Sequence, residues 1–235
     1  AVGLETVRKE EEGPVAVIQG FDPKIGWEDL AEAAYTLANP DVLWIATNTD
    51  QTIPKERGQA PGNGTLVAAV ATASRRTPLV AGKPEAPIFH TAAKAVNSSR
   101  PVIVGDRLDT DILGANNAKM DGALVLTGVQ TYQDVIEAVP NQRPTYILRT
   151  LEDFFAPYPE IEVLYEGYEV TATGPTWQAR VRGENLSLTG PEVEDAEAFA
   201  GSESEAEAWR VACAAWWAAN PEQAARPNIQ GIPGA

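Results

Sequence analysis

Three aspartates stand within six positions of one another, directly after a short apolar run. Asp106, Asp109 and Asp111 follow Val102 to Val104 in the segment "VIVGDRLDTDILGA". Carboxylates this close repel one another unless a cation lies among them, and their oxygens are the ligands that Mg²⁺ prefers. Asp109 or Thr110 can instead cap a following helix, since acidic residues are favourable at a helix start. From the spacing alone, a divalent-cation site and a solvated helix cap are equally open.

Lys83 is a second residue that suits phosphate chemistry. It follows a predicted strand, Leu79 to Ala81, and stands between Gly82 and Pro84. The glycine allows the backbone to approach a ligand closely, and the lysine ammonium is a compact charge that suits a phosphate dianion. For this residue taken by itself, a solvated surface lysine is the simpler explanation.

The central part of the chain alternates short apolar runs with amphipathic stretches. Strands are predicted at 79–81, 102–104, 123–126 and 145–148. Helices are predicted near 87–96, 111–119, 132–138 and 151–155. Such alternation is typical of a parallel sheet with helices on its faces. Ligands of these sheets bind beyond the carboxyl ends of the strands, and Asp106 follows such an end directly.

The regions on either side have different patterns. The first part of the chain predicts, in order, a strand at 14–19, a helix at 27–37, a strand at 41–46, a polar loop at 47–64 and a helix at 65–74. After residue 160, the segments "VLYEGYEVTAT" and "TWQARVRGENLSL" predict strands separated by Gly174-Pro175. The final segment, "PNIQGIPGA", is predicted to be a tail.

A helix is predicted over 203–220, and its apolar side chains share one face. The residues at helical spacing are Trp209, Ala212, Cys213, Trp216 and Trp217. This pattern indicates a helix that packs its apolar face on the rest of the protein. A ligand or partner surface is the alternative.

Composition excludes several classes of function. The 235 residues carry a formal net charge of −15, which argues against nucleic acid and anionic membranes as partners. The single cysteine, Cys213, excludes an internal disulfide and every multi-cysteine metal site. No apolar run is long enough to span a bilayer, and the first residues contain no signal-peptide core. We therefore expect a soluble, cytoplasmic protein.

Taken in order, these segments resemble one known family. Gly82-Lys83-Pro84 followed by "VGDRLDTDILGA" is similar to the third and fourth motifs of phosphatases of the haloacid dehalogenase (HAD) superfamily. The preceding "VIQGFD", "WIATNTD" and "PGNGTLVAAV" resemble the second half of a large α/β (type C2) cap. That cap is found in the subfamily of glycerol-phosphate, phosphoglycolate, pyridoxal-phosphate and nitrophenyl-phosphate phosphatases. The resemblance extends from Gly13 to Pro157.

The resemblance implies an α/β fold in which part of a Rossmann-like HAD core, with a parallel sheet, is joined to part of an α/β cap. We predict three regions: part of the cap over 1–76, the carboxyl-terminal half of the core over 77–159, and a small α+β extension over 160–235. Dimerisation and docking are both open roles for the extension, so a homodimer is one alternative.

The resemblance also assigns chemical roles to three residues. Asp106 would be a Mg²⁺ ligand, and Asp111 would orient that site from its edge. Lys83 would bind the transferred phosphoryl group and neutralise the nucleophile. Mg²⁺ is therefore the expected cofactor, and a small phosphorylated metabolite is the expected partner.

A cap loop, Asn48 to Arg57, would help to select the substrate. Asn48, Asp50 and Arg107 are the predicted substrate-binding residues. Asn48 and Asp50 can alternatively form an Asx-type turn, in which the asparagine side chain bonds the backbone two residues later.

The family's nucleophile is an aspartate in an Asp-x-Asp-Gly turn, and the sequence contains no such turn. The run Asp109-Thr110-Asp111 belongs to the fourth motif and is followed by Ile112, and Asp22-Pro23-Lys24 lacks the second acid. We therefore expect the chain to be the carboxyl-terminal part of such a phosphatase, shorter by on the order of one hundred residues. Without the missing N-terminal segment that carries the nucleophile, the chain is predicted to be inactive.

The predicted function is Mg²⁺-dependent hydrolysis of a small phosphomonoester through an aspartyl-phosphate intermediate, with glycerol 3-phosphate as the first candidate substrate. A non-catalytic or regulatory module that binds phosphate and Mg²⁺ is the alternative. A receiver-like signalling domain is disfavoured because its lysine follows the clustered acids, whereas Lys83 precedes Asp106.

Overall fold

A computed structural model describes residues 3–232, and the chain divides into two compact units. The boundary falls between Ser99 and Arg100. We call the described parts of these units the amino unit (3–99) and the carboxyl unit (100–232). Among the described residues, no helix is both long and apolar enough to cross a membrane. The predicted boundaries at 76 and 159 remain predictions.

The amino unit alternates strands and helices. Its elements are β1 (Ala16–Gln19), α1 (Trp27–Thr36), β2 (Leu43–Ala46), β3 (Thr52–Lys55), β4 (Gly58–Pro61), α2 (Asn63–Ser74), β5 (Leu79–Val80) and α3 (Ala86–Ala95). A single turn of 3-10 helix at Glu10–Glu12 precedes them. The predicted polar loop at 47–64 therefore contains a β-hairpin, β3–β4, which its two prolines and its short strands conceal in the sequence.

A parallel sheet of order β1-β2-β5 forms the centre of the amino unit. Its core is built from six buried side chains: Leu37, Val42, Trp44, Ala46, Val67 and Val70. Alternate residues of β2, Trp44 and Ala46, point into this core, as expected for a strand with one covered face. Because β2 and β5 are parallel, their carboxyl ends lie at the same edge of the sheet. Thr47 and Ala81 follow the two strands at this edge.

The carboxyl unit begins with a second parallel sheet of order β6-β7-β8. Its elements are β6 (Val102–Gly105), a π-helix (Leu108–Ile112), α4 (Leu113–Ala118), β7 (Asp121–Val125), α5 (Tyr132–Ile136), β8 (Tyr146–Leu148) and two 3-10 turns (Pro140–Gln142 and Leu151–Phe155). The predicted α/β fold with a parallel sheet is confirmed. The segment Leu108–Ile112, which carries two of the three clustered aspartates, forms the π-helix. Such helices are frequent at functional sites.

A five-stranded sheet and a long helix complete the carboxyl unit. Its elements are β9 (Glu162–Glu166), β10 (Glu169–Thr173), β11 (Gln178–Arg182), β12 (Asn185–Thr189), α6 (Ala196–Phe199), α7 (Glu203–Ala219) and β13 (Asn228–Gln230). Each of the two long strand segments predicted here is a hairpin, with a turn at Gly167 or Gly183. Both glycines have positive φ, +62° and +59°, a conformation that favours glycine and allows the tight reversal.

The predicted tail is part of this sheet. β13 pairs in parallel with β12, and Ile232 is buried beyond it. A three-residue strand has no periodicity of its own, so its pairing cannot be read from the sequence. The last three residues, 233–235, lie outside the described part of the chain.

Helix α7 packs its tryptophan face on the rest of the carboxyl unit, as predicted. Trp209 and Trp216 are buried in a core that includes Leu124 of the first sheet and Val181 of the second. The extension after residue 160 therefore shares one hydrophobic core with the strands before it. Burial raises the pKa of the Cys213 thiol in this core, which leaves it an inert packing residue.

Candidate functional site

The carboxyl edge of the β6-β7-β8 sheet carries the first group of predicted site residues. β6 ends at Gly105, so Asp106 leaves the sheet at this edge. The loop after β7 passes directly beside it: a Cβ added to Gly128 would lie 2.0 Å from Asp106 Oδ2. Only a glycine at position 128 leaves room for the Asp106 carboxylate in its present place.

The Asp111 side chain packs against the last residue of β6. Its side chain is only 6% exposed. A Cβ added to Gly105 would lie 2.2 Å from Asp111 Cγ, so the absence of a side chain at Gly105 allows this packing. Asp111 Oδ2 accepts the backbone N–H of Arg107 at 3.2 Å. A buried carboxylate is costly unless its charge is compensated, which suits a site that holds a cation.

Arg107 and Asp109 form an ion pair within the same turn. Arg107 Nε donates to Asp109 Oδ1 at 3.0 Å, and Nη2 donates to Oδ2 at 2.7 Å. The alternative in which Asp109 or Thr110 caps the helix is wrong, because Arg107 occupies the cap position and the turn has no side-chain cap. Thr110 Oγ1 is buried and has no hydrogen-bond partner among residues 3–232.

The donor chemistry at this edge fits Mg²⁺. Within the described residues, no group of three or more His, Cys, Asp or Glu side chains is arranged to hold a metal ion. Asp106, however, follows the last residue of β6, and Asp111 packs against that residue, Gly105. Mg²⁺ is commonly held by one or two carboxylates, with waters and substrate phosphate oxygens as its other ligands. Two carboxylates at this edge are therefore donors of the kind that such a site uses.

The amino unit brings the remaining predicted residues together at the carboxyl edge of its own sheet. Lys83 Nζ lies 3.5 Å from Asp50 Oδ2. The backbone N–H of Thr49 donates to the Lys83 carbonyl at 3.2 Å. A Cβ added to Gly82 would lie 1.8 Å from the Thr47 carbonyl oxygen, so the two chain segments are in direct contact there. Lys83 is thus held against the loop that carries Asp50.

The predicted Asx-type turn is present. Asn48 Oδ1 accepts the backbone N–H of Asp50 at 3.2 Å. This turn directs the Asp50 carboxylate toward Lys83, and Asp50 Oδ1 is buried with no hydrogen-bond partner in the described part of the chain. Substrate contacts for Asn48, Asp50 and Arg107 remain predictions.

Four residues that sequence reasoning did not single out support these groups. Gly128 makes room for Asp106, and the turn Gly62-Asn63-Gly64 packs on the loop that carries Asp50. The sequence signal for this turn is the close pair of glycines in "PGNG". Such a pair indicates that another part of the backbone comes close, but it does not identify that part. Each group belongs to its own unit: Asn48, Asp50 and Lys83 to the amino unit, and Asp106, Arg107 and Asp111 to the carboxyl unit.

The sequence matches known phosphatases. Residues 80–154 match the model of a family described as HAD-hydrolase-like. The D-glycerol 3-phosphate phosphatase of Mycobacterium tuberculosis is 44% identical over 201 residues, which are 84% of this chain and 54% of that protein. The glycerol-3-phosphate phosphatase of Gallus gallus is 44% identical over 124 residues, which are 51% of this chain and 40% of that protein.

The fold matches as well. A crystal structure of the glycerol phosphate phosphatase of Mycobacterium tuberculosis in complex with magnesium aligns with a TM-score of 0.76 and 36% identity. The alignment covers 97% of this chain and 63% of that one. A 4-nitrophenylphosphatase of Thermotoga maritima aligns with a TM-score of 0.56 and 31% identity over 63% of this chain and 56% of that one. The predicted resemblance is confirmed, and the chain spans between two fifths and two thirds of the length of these relatives.

Proposed function

We propose that the chain is part of a Mg²⁺-dependent phosphomonoester hydrolase, because its residues 80–154 match the model of the HAD-hydrolase-like family. The observation that carries the proposal is the placement of Asp106 and the buried Asp111 at the carboxyl end of β6. Two carboxylates at this edge of a parallel sheet stand where such folds bind their ligands.

Each of three side chains has a role in this proposal. Asp106 ligates the metal, and Asp111, held by the Arg107 backbone, orients the site from behind. Lys83 binds the phosphoryl group and offsets the negative charge that develops during transfer. Mg²⁺ held by Asp106 would offset negative charge on the phosphate and would so lower the cost of bringing an anionic nucleophile to it. Preorganised charge of this kind supplies most of the rate enhancement in phosphoryl transfer.

The proposed substrate is a small phosphorylated metabolite, with glycerol 3-phosphate as the first candidate. Two of the relatives are named for glycerol 3-phosphate and share 44% identity with this chain. Asn48, Asp50 and Arg107 are the proposed substrate-binding residues. Because Asp50 contacts Lys83, a ligand whose phosphate lies at Lys83 would bring its polar groups close to this loop.

The nucleophile is proposed to lie on a segment that is not among these 235 residues. Two acids of the turn after β6 already have other partners: Asp111 accepts from the backbone of Arg107, and Asp109 is paired with the Arg107 guanidinium. An aspartate supplied by the other segment would attack phosphorus, the substrate alcohol would leave, and water would hydrolyse the resulting aspartyl phosphate. A cytoplasmic location and a homodimer are further proposals that rest on the sequence alone.

Phosphate release tests the proposal directly. Glycerol 3-phosphate and nitrophenyl phosphate are each incubated with the chain alone and with the chain mixed with a segment encoded upstream, with and without Mg²⁺. We expect turnover only in the mixture and only with Mg²⁺, because binding without an attacking group leaves the barrier almost unchanged. The Lys83→Met variant of the mixture should turn over about 10²–10³-fold more slowly, the usual cost of one lost charge-stabilising donor.

Two outcomes would contradict the proposal. Substantial Mg²⁺-dependent turnover by the chain alone would place the nucleophile within these residues. Phosphate and Mg²⁺ binding without turnover in any mixture would favour the alternative, a non-catalytic or regulatory module.

A further inference from the structure

Asn63 is a buried polar residue outside the predicted site. It is the first residue of α2, and its side chain is only 1% exposed. Its amide Nδ2 donates to the Asn48 carbonyl at 2.8 Å and lies 3.5 Å from the Gln19 carbonyl. Burying an amide is unfavourable unless it is hydrogen-bonded, so an apolar residue would serve packing at lower cost. Asn63 Oδ1 is buried with no hydrogen-bond partner in the described part of the chain, so the contact that this side chain contributes is the bond from Nδ2 to the loop.

The backbone on either side of Asn63 binds the same loop. Gly62 N–H donates to the Gln51 carbonyl at 2.9 Å, and Gly64 N–H donates to the Asp50 carbonyl at 2.8 Å. Cβ atoms added to Gly62 and Gly64 would lie 2.3 and 2.2 Å from carbonyl oxygens of this loop. The first N–H groups of a helix have no partner within the helix, and here the loop carbonyls supply partners.

The loop in turn contacts Lys83 at two points. Asp50 Oδ2 lies 3.5 Å from Lys83 Nζ, and Thr49 N–H donates to the Lys83 carbonyl. Lys83 is only partly exposed, with 32% of its side-chain surface accessible. An ammonium on a flexible four-carbon chain has many rotamers, and a fixed carboxylate beside it reduces their number.

We propose that Asn63 is a positioning residue for Lys83, acting through the carbonyl of Asn48 and the carboxylate of Asp50. The amide fixes the start of the Asx-type turn, the turn fixes the direction of Asp50, and Asp50 restrains the ammonium. The inference rests on the proposed function only for what Lys83 then does, which is to bind phosphate.

Competitive acetylation of the lysines tests the proposal without substrate or metal. The 235-residue chain is treated with a trace of acetic anhydride, and the extent of acetylation at each lysine is read by peptide mass spectrometry. The measured quantity is the ratio of Lys83 to Lys24 acetylation, because Lys24 is an exposed lysine in the same unit. In Asn63→Ala and in Asp50→Asn, we expect this ratio to rise by about fivefold, the factor that corresponds to one lost hydrogen bond.

Two further variants separate positioning from folding. Asn63→Leu has the same number of side-chain heavy atoms and adds no buried charge, but it lacks the N–H that binds the Asn48 carbonyl, so it should behave as Asn63→Ala does. Thr72→Ala on the same helix removes a hydroxyl that bonds only the Ala68 carbonyl, and it should leave the ratio unchanged.

An unchanged ratio in Asn63→Leu and Asp50→Asn would overturn the proposal. An equal rise at every lysine in Asn63→Leu would also overturn it, because Asn63 would then support the fold and not Lys83 in particular. Neither result would bear on phosphatase activity, so failure of this inference and failure of the proposed function are distinguishable.

Discussion

Replacing Trp216 with alanine is expected to lower the free energy of unfolding of the carboxyl unit by about 3–5 kcal/mol. The indole is only 1% exposed and packs in the core that joins the two sheets of this unit. Its Nε1 also donates to the Ala225 carbonyl at 2.8 Å, and the truncation leaves that carbonyl without this donor. A cavity of this size and a lost buried hydrogen bond act in the same direction.

Hydrogen exchange in urea measures this loss in the right part of the molecule. Peptides from β10, β11 and β12 report on the sheet that α7 covers, and their exchange should reach completion at lower urea in Trp216→Ala than in the unaltered chain. Phe155→Ala is the control, since Phe155 is 93% exposed and its truncation should change stability by no more than about 0.5 kcal/mol. Equal urea midpoints for the two variants would show that the Trp216 indole does not stabilise the sheet that α7 covers.

The fold was predictable wherever one short stretch of sequence carries its own pattern. The apolar run Val102 to Val104, followed by an acidic turn and a second apolar run, predicts the parallel pair β6 and β7 correctly. The spacing of Trp209, Cys213 and Trp216 correctly predicts a helix with one buried face. Both patterns are local, because they follow from the periods of a strand and a helix.

Features that depend on distant contacts were not predictable. The turn at Gly167 is an exception: it is local, and the glycine in "VLYEGYEVTAT" is a signal for the hairpin of β9 and β10 that the prediction of strands did not use. β13 forms by pairing with the edge of β12, and its three residues have no hydrophobic pattern that predicts a strand.

The same division applies to the candidate site. Asp106 and Lys83 could be predicted from the sequence, because Asp106 directly follows β6, Lys83 stands three residues after β5, and both residue types suit phosphate chemistry. The contacts that fix the site residues in place could not be predicted in this way. The packing of Asp111 on Gly105 and the hydrogen bond from Asn63 to the Asn48 carbonyl join elements whose distance depends on the whole unit.

Replacing Gly128 with alanine is expected to weaken divalent-cation binding at Asp106 by about 10–100-fold, the usual effect of disturbing a residue that supports a metal ligand. The added Cβ would lie 2.0 Å from Asp106 Oδ2 and 2.5 Å from Asp106 Cβ, far inside van der Waals contact. Either the carboxylate or the loop after β7 must move. Movement of the carboxylate displaces its oxygens from the positions that they now hold at the end of β6, and this is the movement that we expect to weaken metal binding.

Paramagnetic Mn²⁺, which takes the same oxygen ligands as Mg²⁺, provides the measurement. In the unaltered chain, we expect low concentrations of Mn²⁺ to broaden the amide signals of residues 105–111 and 126–128 selectively, and Asp106→Asn should abolish this effect. Gly128→Ala should need at least about tenfold more Mn²⁺ for the same broadening. Gly26→Ala is the control, because its Cβ would meet only Asp29 Oδ2 at 4.0 Å. Broadening that persists in Asp106→Asn would show that Asp106 is not the ligand. If Gly128→Ala and Gly26→Ala bind Mn²⁺ equally well, the loop has moved and Gly128 does not control the site; if they differ as expected, a loop glycine determines whether this carboxylate can hold the metal.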